Sequence, residues 1–334
     1  MVVPVRNGAA YLPETLPAIL RSLPQGGELI VSDDGSRDGS ADLAANLGAQ
    51  VVRHTDSSGP AGARNRGALR ARGDTIVFLD ADVRVHADTL ARLLEPLQEP
   101  SVAAAFGSYD DRPPGRSWVS LYKNLAHHFV HQRSQRDAVT FWAGCGAIRR
   151  RALFAVGGFD EAYRRPSIED VELGQRLRKA GYAIRLNPKA QATHLKIWTL
   201  PSWLVSDLRD RAMPWARLLR SGSSLPRDLN FRWADRAAAM LVAVALLAAG
   251  AAPMEPKLLV LAGACLVAVW SIDRAFLAFC ARTVSPLFAA AAALLHTLHR
   301  AAALLGLFVG LLTPAARSRL GLLGRQLPAP PGRI

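Results

Sequence analysis

The stretch Gly73-Asp74-Thr75-Ile76-Val77-Phe78-Leu79-Asp80-Ala81-Asp82 decides how this chain is read. An apolar run of strand length follows a Gly-Asp turn signal and ends in two carboxylates one residue apart. Short apolar runs bounded by turn residues read as buried parallel strands. Ligands of open parallel sheets gather where the strands end at their carboxyl edge. Asp80 and Asp82 are therefore expected at that edge, on the same side of the chain if the strand persists through them. Two carboxylates there suit a hard divalent cation, Mg2+ or Mn2+, which also takes phosphate oxygens. A strand-end Asp is equally a turn former, so the pair needs its flanks.

Upstream, residues 1–5 read as a first strand, turning at Pro4-Val5-Arg6-Asn7-Gly8. Helical spacing predicts a helix over 11–23, and a strand over 28–32 runs into Asp33-Asp34-Gly35-Ser36. A helix over 40–48, a strand over 49–53 and a helix opening at Gly59-Pro60-Ala61 complete the approach to the central run. Downstream, a helix over 87–98 and a strand over 101–107 continue the alternation, which predicts an α/β layer with a mostly parallel sheet. Right-handed crossovers bring the ends of the first, second and central strands to one edge. Beyond, 117–135 reads as a helix and 139–149 as a strand, with small residues around Trp142 and Gly144 that allow close backbone approach to a ligand. A helix opens at Ser167-Ile168-Glu169-Asp170, and two separate extended pieces, 182–187 and 190–195, close the region.

Composition divides the 334 residues near Leu200, after which charge thins and Ala, Leu and Val dominate. Three scattered cysteines exclude a disulfide framework or a zinc site. A formal charge of +14 suits an anionic partner. The arginines cluster at Arg209, Arg211, Arg217, Arg220, Arg227, Arg232 and Arg236, beside the apolar region, and so point to membrane lipids rather than nucleic acid. No secretory signal is expected. The organisation read from sequence is a catalytic domain over 1–200, an amphipathic juxtamembrane segment over 201–233, membrane helices within 234–313 (about 237–252, 257–272 and 285–312) and a basic tail over 314–334. The third apolar segment is interrupted by His296, His299 and Arg300, and a third crossing would place Arg317, Arg319, Arg325 and Arg333 outside, against the positive-inside tendency. Its crossing is left open.

Taken in order, Pro4-Val5-Arg6-Asn7, Asp33-Asp34-Gly35-Ser36, Gly59-Pro60-Ala61-x-Ala63-Arg64-Asn65-x-Gly67, Asp80-Ala81-Asp82, Gly157-Gly158-Phe159-Asp160-Glu161 and Glu169-Asp170-x-Glu172-Leu173-Gly174-x-Arg176-Leu177 resemble the family 2 glycosyltransferases of the GT-A fold. The resemblance covers roughly residues 1 to 200. The Gln-x-x-Arg-Trp motif of processive synthases is not found, which argues against a polymerase. Few apolar residues precede Pro4, so a short first strand or a late start is expected. The resemblance implies an inverting transfer from a nucleotide-diphosphate sugar. Asp34, with Asp33 beside it, would hold the nucleobase or ribose. Pro4, Arg6 and Arg64 would lie along the nucleotide. Asp80 and Asp82 would hold the cation and diphosphate, and His194 stands where some related enzymes carry a further metal ligand. Asp170 would be the catalytic base, with Glu169 as the alternative, and Trp142 and Gly144 would face the acceptor.

The chemistry agrees. A diphosphate leaving group needs charge neutralisation, and an acceptor hydroxyl needs one positioned base. Ser167 with Asp170 three residues on also fits a capping box, and a lone His is ordinarily structural. The leading expectation is a glycosyltransferase of the inner membrane, multi-pass with its catalytic domain cytoplasmic, acting on a glycan or lipid acceptor for the cell surface. The alternatives are transfer to a polyprenyl phosphate carrier and, from another class, a non-catalytic membrane scaffold.

Overall fold

A computed structural model gives the architecture of residues 1–220 and 233–313, which are the residues described below. The expected tail, 314–334, and the second part of the juxtamembrane segment, 221–232, lie outside them. The chain divides into two compact units. The first comprises Met1–Pro114 and Ser134–Lys196; the second takes Gly115–Arg133 and the described residues from Ile197 onward.

The first unit is an α/β fold with a mostly parallel sheet, as expected, built on β1 (Val2–Val5), α1 (Leu12–Ser22), β2 (Ile30–Asp34), α2 (Ser40–Asn46), β3 (Gln50–His54), α3 (Gly59–Arg70), β4 (Thr75–Leu79), β5 (Val83–Val85), α4 (Thr89–Leu94) and β6 (Val102–Tyr109). After α5 (Trp118–Arg133), which belongs to the second unit, come β7 (Asp137–Ala138), β8 (Cys145–Arg149), α6 (Arg150–Ala155), α7 (Glu169–Lys179) and β9 (Ala183–His194). The described strands form one sheet in the order β3-β2-β1-β4-β8-β6-β9-β5, with β7 on β9. β1–β4, β6 and β9 run one way; β5, β7 and β8 run the other. Val3, Val31, Val77 and Leu79 pack with Leu12, Leu16 and Ile19 of α1 on one face. Val2, Ile30, Ile76 and Phe78 pack with Ala61 and Ala68 of α3 on the other. Apolar side chains alternate between two covered faces, which is why these strands read as near-continuous hydrophobic runs.

The sequence expectations differ from this in four places. β2 continues through Asp33 and Asp34 because β3 pairs with it to its last residue, Asp34 opposite His54. β4 spans the expected run and stops at Leu79, so the strand does not persist through the carboxylate pair: Asp80–Asp82 form a turn, closed by Val83 N on Asp80 O at 3.0 Å, and the turn rather than strand alternation sets the two carboxylates. Only Cys145–Arg149 of the expected 139–149 strand is extended in the sheet; 139–144 is a loop. The two expected pieces 182–187 and 190–195 are the single strand β9, which carries Pro188 past Gly107 through a register shift. A Cβ on Gly107 would lie 2.1 Å from Ala190 O, so only glycine admits this irregularity.

The second unit is helical: α5, α8 (Leu200–Val205), a π-helical stretch Ser206–Ala212, α9 (Met213–Arg220), α10 (Trp233–Ala251), α11 (Leu258–Ile272), α12 (Arg274–Thr283) and α13 (Pro286–Leu312). α10 and α13 are long and apolar enough to cross a membrane, and α11 with α12 form a pair bent by 66°. α11 alone, at 15 residues, is shorter than the span of about 20 residues that a bilayer needs.

Candidate active site

Three loops meet at the carboxyl edge of β1, β2 and β4. After β1, Asn7 adopts a left-handed φ of 53° and its side chain accepts from Arg37 N at 2.9 Å. Asn7 N and Gly8 N donate to Ser36 Oγ and Ser40 Oγ, each at 2.9 Å. Gly8 also lies against the third loop, since a Cβ there would stand 3.6 Å from Ala81 Cβ. Pro4 is part of β1, paired with Ser32, and Arg6 is exposed.

The two aspartates after Ser32 divide their tasks. Asp34 is saturated: Ser58 N (2.9 Å), Ser58 Oγ (3.1 Å) and Arg66 Nη2 (2.6 Å) donate to one oxygen, and Ser57 Oγ (2.6 Å) and Gly59 N (2.9 Å) to the other. Burial raises its pKa, but these donors, the Ser57 hydroxyl foremost, more than offset it and hold the carboxyl below its ordinary value. Asp34 thus fixes the first turn of α3, where Gly59 has φ 87° and leaves no room for a Cβ beside Arg164 O. Asp33 accepts from Ser36 N at 3.2 Å through Oδ2, while its buried Oδ1 has no protein partner. Of the two carboxylates that the motif implied for the nucleoside, Asp33 thus keeps an oxygen without a protein partner, while both oxygens of Asp34 are engaged by the fold.

The centre is an ion-pair chain. Arg64, buried on α3, donates from Nη2 to Asp80 Oδ1 and from Nη1 to Glu169 Oε1, both at 2.7 Å, with its guanidinium 5.5 Å from the centre of the Phe159 ring. Burial opposes its charge, but Asp80, Glu169 and Asp170 outweigh that and hold it firmly protonated. The other oxygen of Glu169 accepts from Ser167 N at 2.8 Å. Asn65 fastens the 157–161 turn to the same helix, bonding Phe159 N and O at 2.9 Å and Glu161 at 2.8 Å.

Asp170 stands next to this chain, at the start of α7. The helix begins after Ile168 without a side-chain cap, so the capping box of Ser167 and Asp170 does not form. Asp170 instead accepts from Ala143 N at 3.0 Å and from Val171 N at 2.8 Å. Full burial, then the charge of Glu169, push its pKa up to about 7, with Arg64 opposing. Glu169 has both oxygens committed to holding Arg64 and the loop, which leaves Asp170 as the stronger candidate base.

Asp82 lies opposite the aromatic wall. Its Oδ2 is 3.5 Å from His194 Nε2, and Leu195 N donates to Asp82 O at 2.8 Å. Burial raises the Asp82 pKa, but His194 and then Lys196 outweigh it, so the carboxyl stays below its ordinary value. The His194 ring stacks on Tyr109 with centroids 4.4 Å apart, and Tyr109 meets Trp142 edge-on at 4.7 Å. Gly144 lets the indole lie flat on the backbone, since a Cβ would be 2.7 Å from the ring, and Gly144 O accepts from Asp80 N at 3.1 Å. Among the described residues no group of three His, Cys, Asp or Glu is gathered to hold a metal ion. The expected trio is only partly brought together: Asp82 and His194 converge, while Arg64 draws one oxygen of Asp80 to itself. A carboxylate and an imidazole, with further positions for phosphate oxygens and water, still form a donor set that fits a divalent cation.

The Glycosyl transferase family 2 profile matches residues 1–157. Over this segment the chain is similar to the family 2 glycosyltransferases. The pre-mycofactocin glycosyltransferase of Mycobacterium tuberculosis is 34% identical over 215 residues, 61% of this chain and 44% of its own length. A PGL/p-HBAD biosynthesis glycosyltransferase of Mycobacterium bovis is 39% identical over 149 residues, 40% of this chain and 58% of its own. The chain thus spans about half the length of these curated relatives. In fold it is similar to a mannosyltransferase from Pyrobaculum calidifontis, solved with GDP-Man and Mn2+, at a TM-score of 0.59 and 18% identity, over 93% of this chain and 86% of the other. In the α/β unit no sequence pattern flagged Arg66 on Asp34 or Tyr109 between Trp142 and His194. Nor did any flag Tyr11, whose pKa is raised by burial and then by the charge of Asp82.

Proposed function

We propose that the chain is an inverting glycosyltransferase that moves a sugar from a nucleotide-diphosphate donor to an acceptor hydroxyl during synthesis of a cell-surface glycan or glycolipid. The observation that carries this is Asp170: a single buried carboxylate raised toward neutrality, next to the Arg64–Glu169–Asp80 chain. A one-step displacement needs one base of that kind, matched to a pH near 7. Asp170 accepts the proton of the acceptor hydroxyl as its oxygen bonds to the anomeric carbon. The bond from that carbon to the diphosphate oxygen breaks, and the configuration inverts. Asp33 Oδ1 offers an acceptor to the nucleoside, and Arg64 steadies Asp80 at the diphosphate. Asp82 and His194 would hold a divalent cation, whose chemistry is Lewis-acid neutralisation of the leaving diphosphate. Structural relatives support the donor class, one solved with GDP-Man and Mn2+ and another with UDP, GalNAc and Mn2+. The arginines before the apolar helices support a cytoplasmic catalytic domain at the inner membrane.

Purified full-length protein is to be screened against nucleotide sugars for release of nucleoside diphosphate, with and without Mn2+. The expected result is metal-dependent turnover, with Asp170→Asn lowering kcat by roughly 10²–10⁴-fold while donor affinity stays within a few-fold. Turnover indifferent to chelation, or undiminished in Asp170→Asn, would overturn it. One observation favours a phosphate-bearing acceptor as a second reading: a groove of about 370 Å3 in the helical unit, lined by His128, Phe129, Gln132, Arg133, Phe279 and Arg282. An acceptor already ionised has no proton to lose, so near-normal transfer by Asp170→Asn to a polyprenyl phosphate would select it.

A further inference from the structure

We infer that α13 lies along the membrane surface although it is long enough to cross, and that only the α10–α11 hairpin enters the bilayer, so that residue 313 returns to the side on which residue 220 lies. The direction of α13 is set by its partners. Its first half packs on α12, with Phe288 and Ala292 clustered with Phe276 and Cys280. α12 leaves the line of α11 at 66°. The shared direction of α12 and α13 is thus steeply inclined to the hairpin.

The contacts of α13 with the hairpin agree. They occur at its base, where Ala301 and Leu304 meet Ala238, Val242 and Val269. The cluster nearer the tip, Ala245, Ala248, Ala262 and Cys265 with Leu241, Leu258 and Leu266, is drawn from the hairpin alone. A third span would run beside that cluster.

The second half of α13 settles on a segment that cannot enter hydrocarbon. A Cβ on Gly306 would stand 2.7 Å from Leu208 O, and one on Gly310 2.7 Å from Met213 O, so the two backbones touch. Arg220 Nη1 donates to Thr313 O at 2.7 Å and Arg217 Nη2 to Thr313 Oγ1 at 3.3 Å. The segment so joined carries Arg209, Asp210, Arg211, Arg217 and Arg220. If α13 crossed, these charges would cross with it, which is prohibitively unfavourable.

The middle of α13 repeats the point. Arg300 pairs in bidentate fashion with Asp273 at 2.5 and 2.8 Å, and His299 bonds Asp207 at 2.6 Å, itself paired with Lys123 at 2.5 Å. At the surface these groups lie at headgroup depth; in a span they would sit at the midplane. On the opposite face, Leu287, Leu294, Leu298, Leu305, Phe308 and Leu312 are exposed and fall within one helical stripe along the whole length, which fits a helix lying on lipid. The hairpin tip carries Glu255 and Lys257, which suit the far headgroups, and local thinning accommodates the short α11.

The test uses the full chain in cells and in sealed inverted vesicles with a membrane-impermeant maleimide, on Asp56→Cys, Met254→Cys and a cysteine appended after Ile334. The three native cysteines are buried, and the parent chain sets the background. Asp56→Cys and the appended cysteine are expected to react from one side and Met254→Cys from the other. An appended cysteine reacting with Met254→Cys overturns the inference, since α13 then crosses. All three reacting from one side overturns the hairpin crossing. Loss of the chain from carbonate-washed membranes overturns both. No readout depends on sugar transfer, so this inference and the proposed activity fail separately.

Discussion

Asp170 sits where its ionised form is disfavoured, and that has consequences for stability as well as catalysis. Its pKa, raised to about 7 by burial and Glu169, means that the native state takes up a proton which the unfolded chain, near 3.8, does not. The neutral carboxyl is therefore costless at low pH, and stability is lost as pH rises from about 4 through 7. Asp170→Asn removes this dependence and is expected to raise the Tm at pH 8 while leaving it near the parent value at pH 4.5; the difference is at most about 4 kcal/mol at 1.4 kcal/mol per pKa unit. Equal shifts at both pH values would refute the assignment. In the parent, kcat/KM should fall below pH 7 as Asp170 protonates. The neighbouring aspartates separate in another way. Asp33→Asn should weaken nucleotide binding by roughly 10–150-fold, the worth of a hydrogen bond to a charged group, with little change in melting. Asp34→Asn should instead lower stability by about 3 kcal/mol, because Arg66 and the Ser57–Gly59 turn lose their acceptor. Calorimetric titration and thermal melts on both variants decide; an Asp34 variant that melts normally but binds poorly would reverse the roles. The sequence placed both residues at the edge but could not say which was spent on the fold, since the Arg66 and Ser58 contacts are set by tertiary packing.

At the scale of elements, strands were legible where apolar runs are closed by turn residues, as in β4, whose limits match the expectation. They were illegible where glycine and proline serve a sheet irregularity, as in β9 opposite Gly107, or where small residues line a loop, as at 139–144. That loop shows why such residues are small. Gly174 lies under it, and a Cβ there would stand 2.4 Å from Phe141 N and 2.7 Å from Thr140 C. Both are backbone atoms, and the same loop gives Asp170 its bond from Ala143 N. Gly174→Ala should therefore displace the loop, costing about 1–3 kcal/mol, and reduce kcat more than donor affinity. Melting temperature and donor titration on this variant check it; full activity with a normal melt would mean the loop yields freely.

At the scale of the molecule, composition predicts a change of character near Leu200, but it could not predict the membership of α5, which joins the second compact unit: helical spacing says nothing of which unit a helix joins. Its Lys123 meets Asp207, 84 residues on, together with Trp203 Nε1 and His299. The histidines and arginine that interrupt the last apolar segment looked anomalous because Asp207 and Asp273, their partners, lie far off in sequence. Two cores built on different residues predict two unfolding transitions in detergent, since chains of more than one compact unit depart from two-state behaviour. A nucleoside diphosphate with Mn2+ at about 100 times its Kd should raise only the transition of the α/β unit, by about 2.7 kcal/mol, because the residues proposed to bind it lie there. Asp207→Asn should lower only the other, by about 3 kcal/mol, since it leaves the half-buried Lys123 beside an uncharged amide in place of the buried carboxylate. Differential scanning calorimetry on the four combinations of variant and ligand reads both shifts at once. A single transition that moves with either perturbation would show one cooperative core, and the separation of donor chemistry from the membrane part would fall with it.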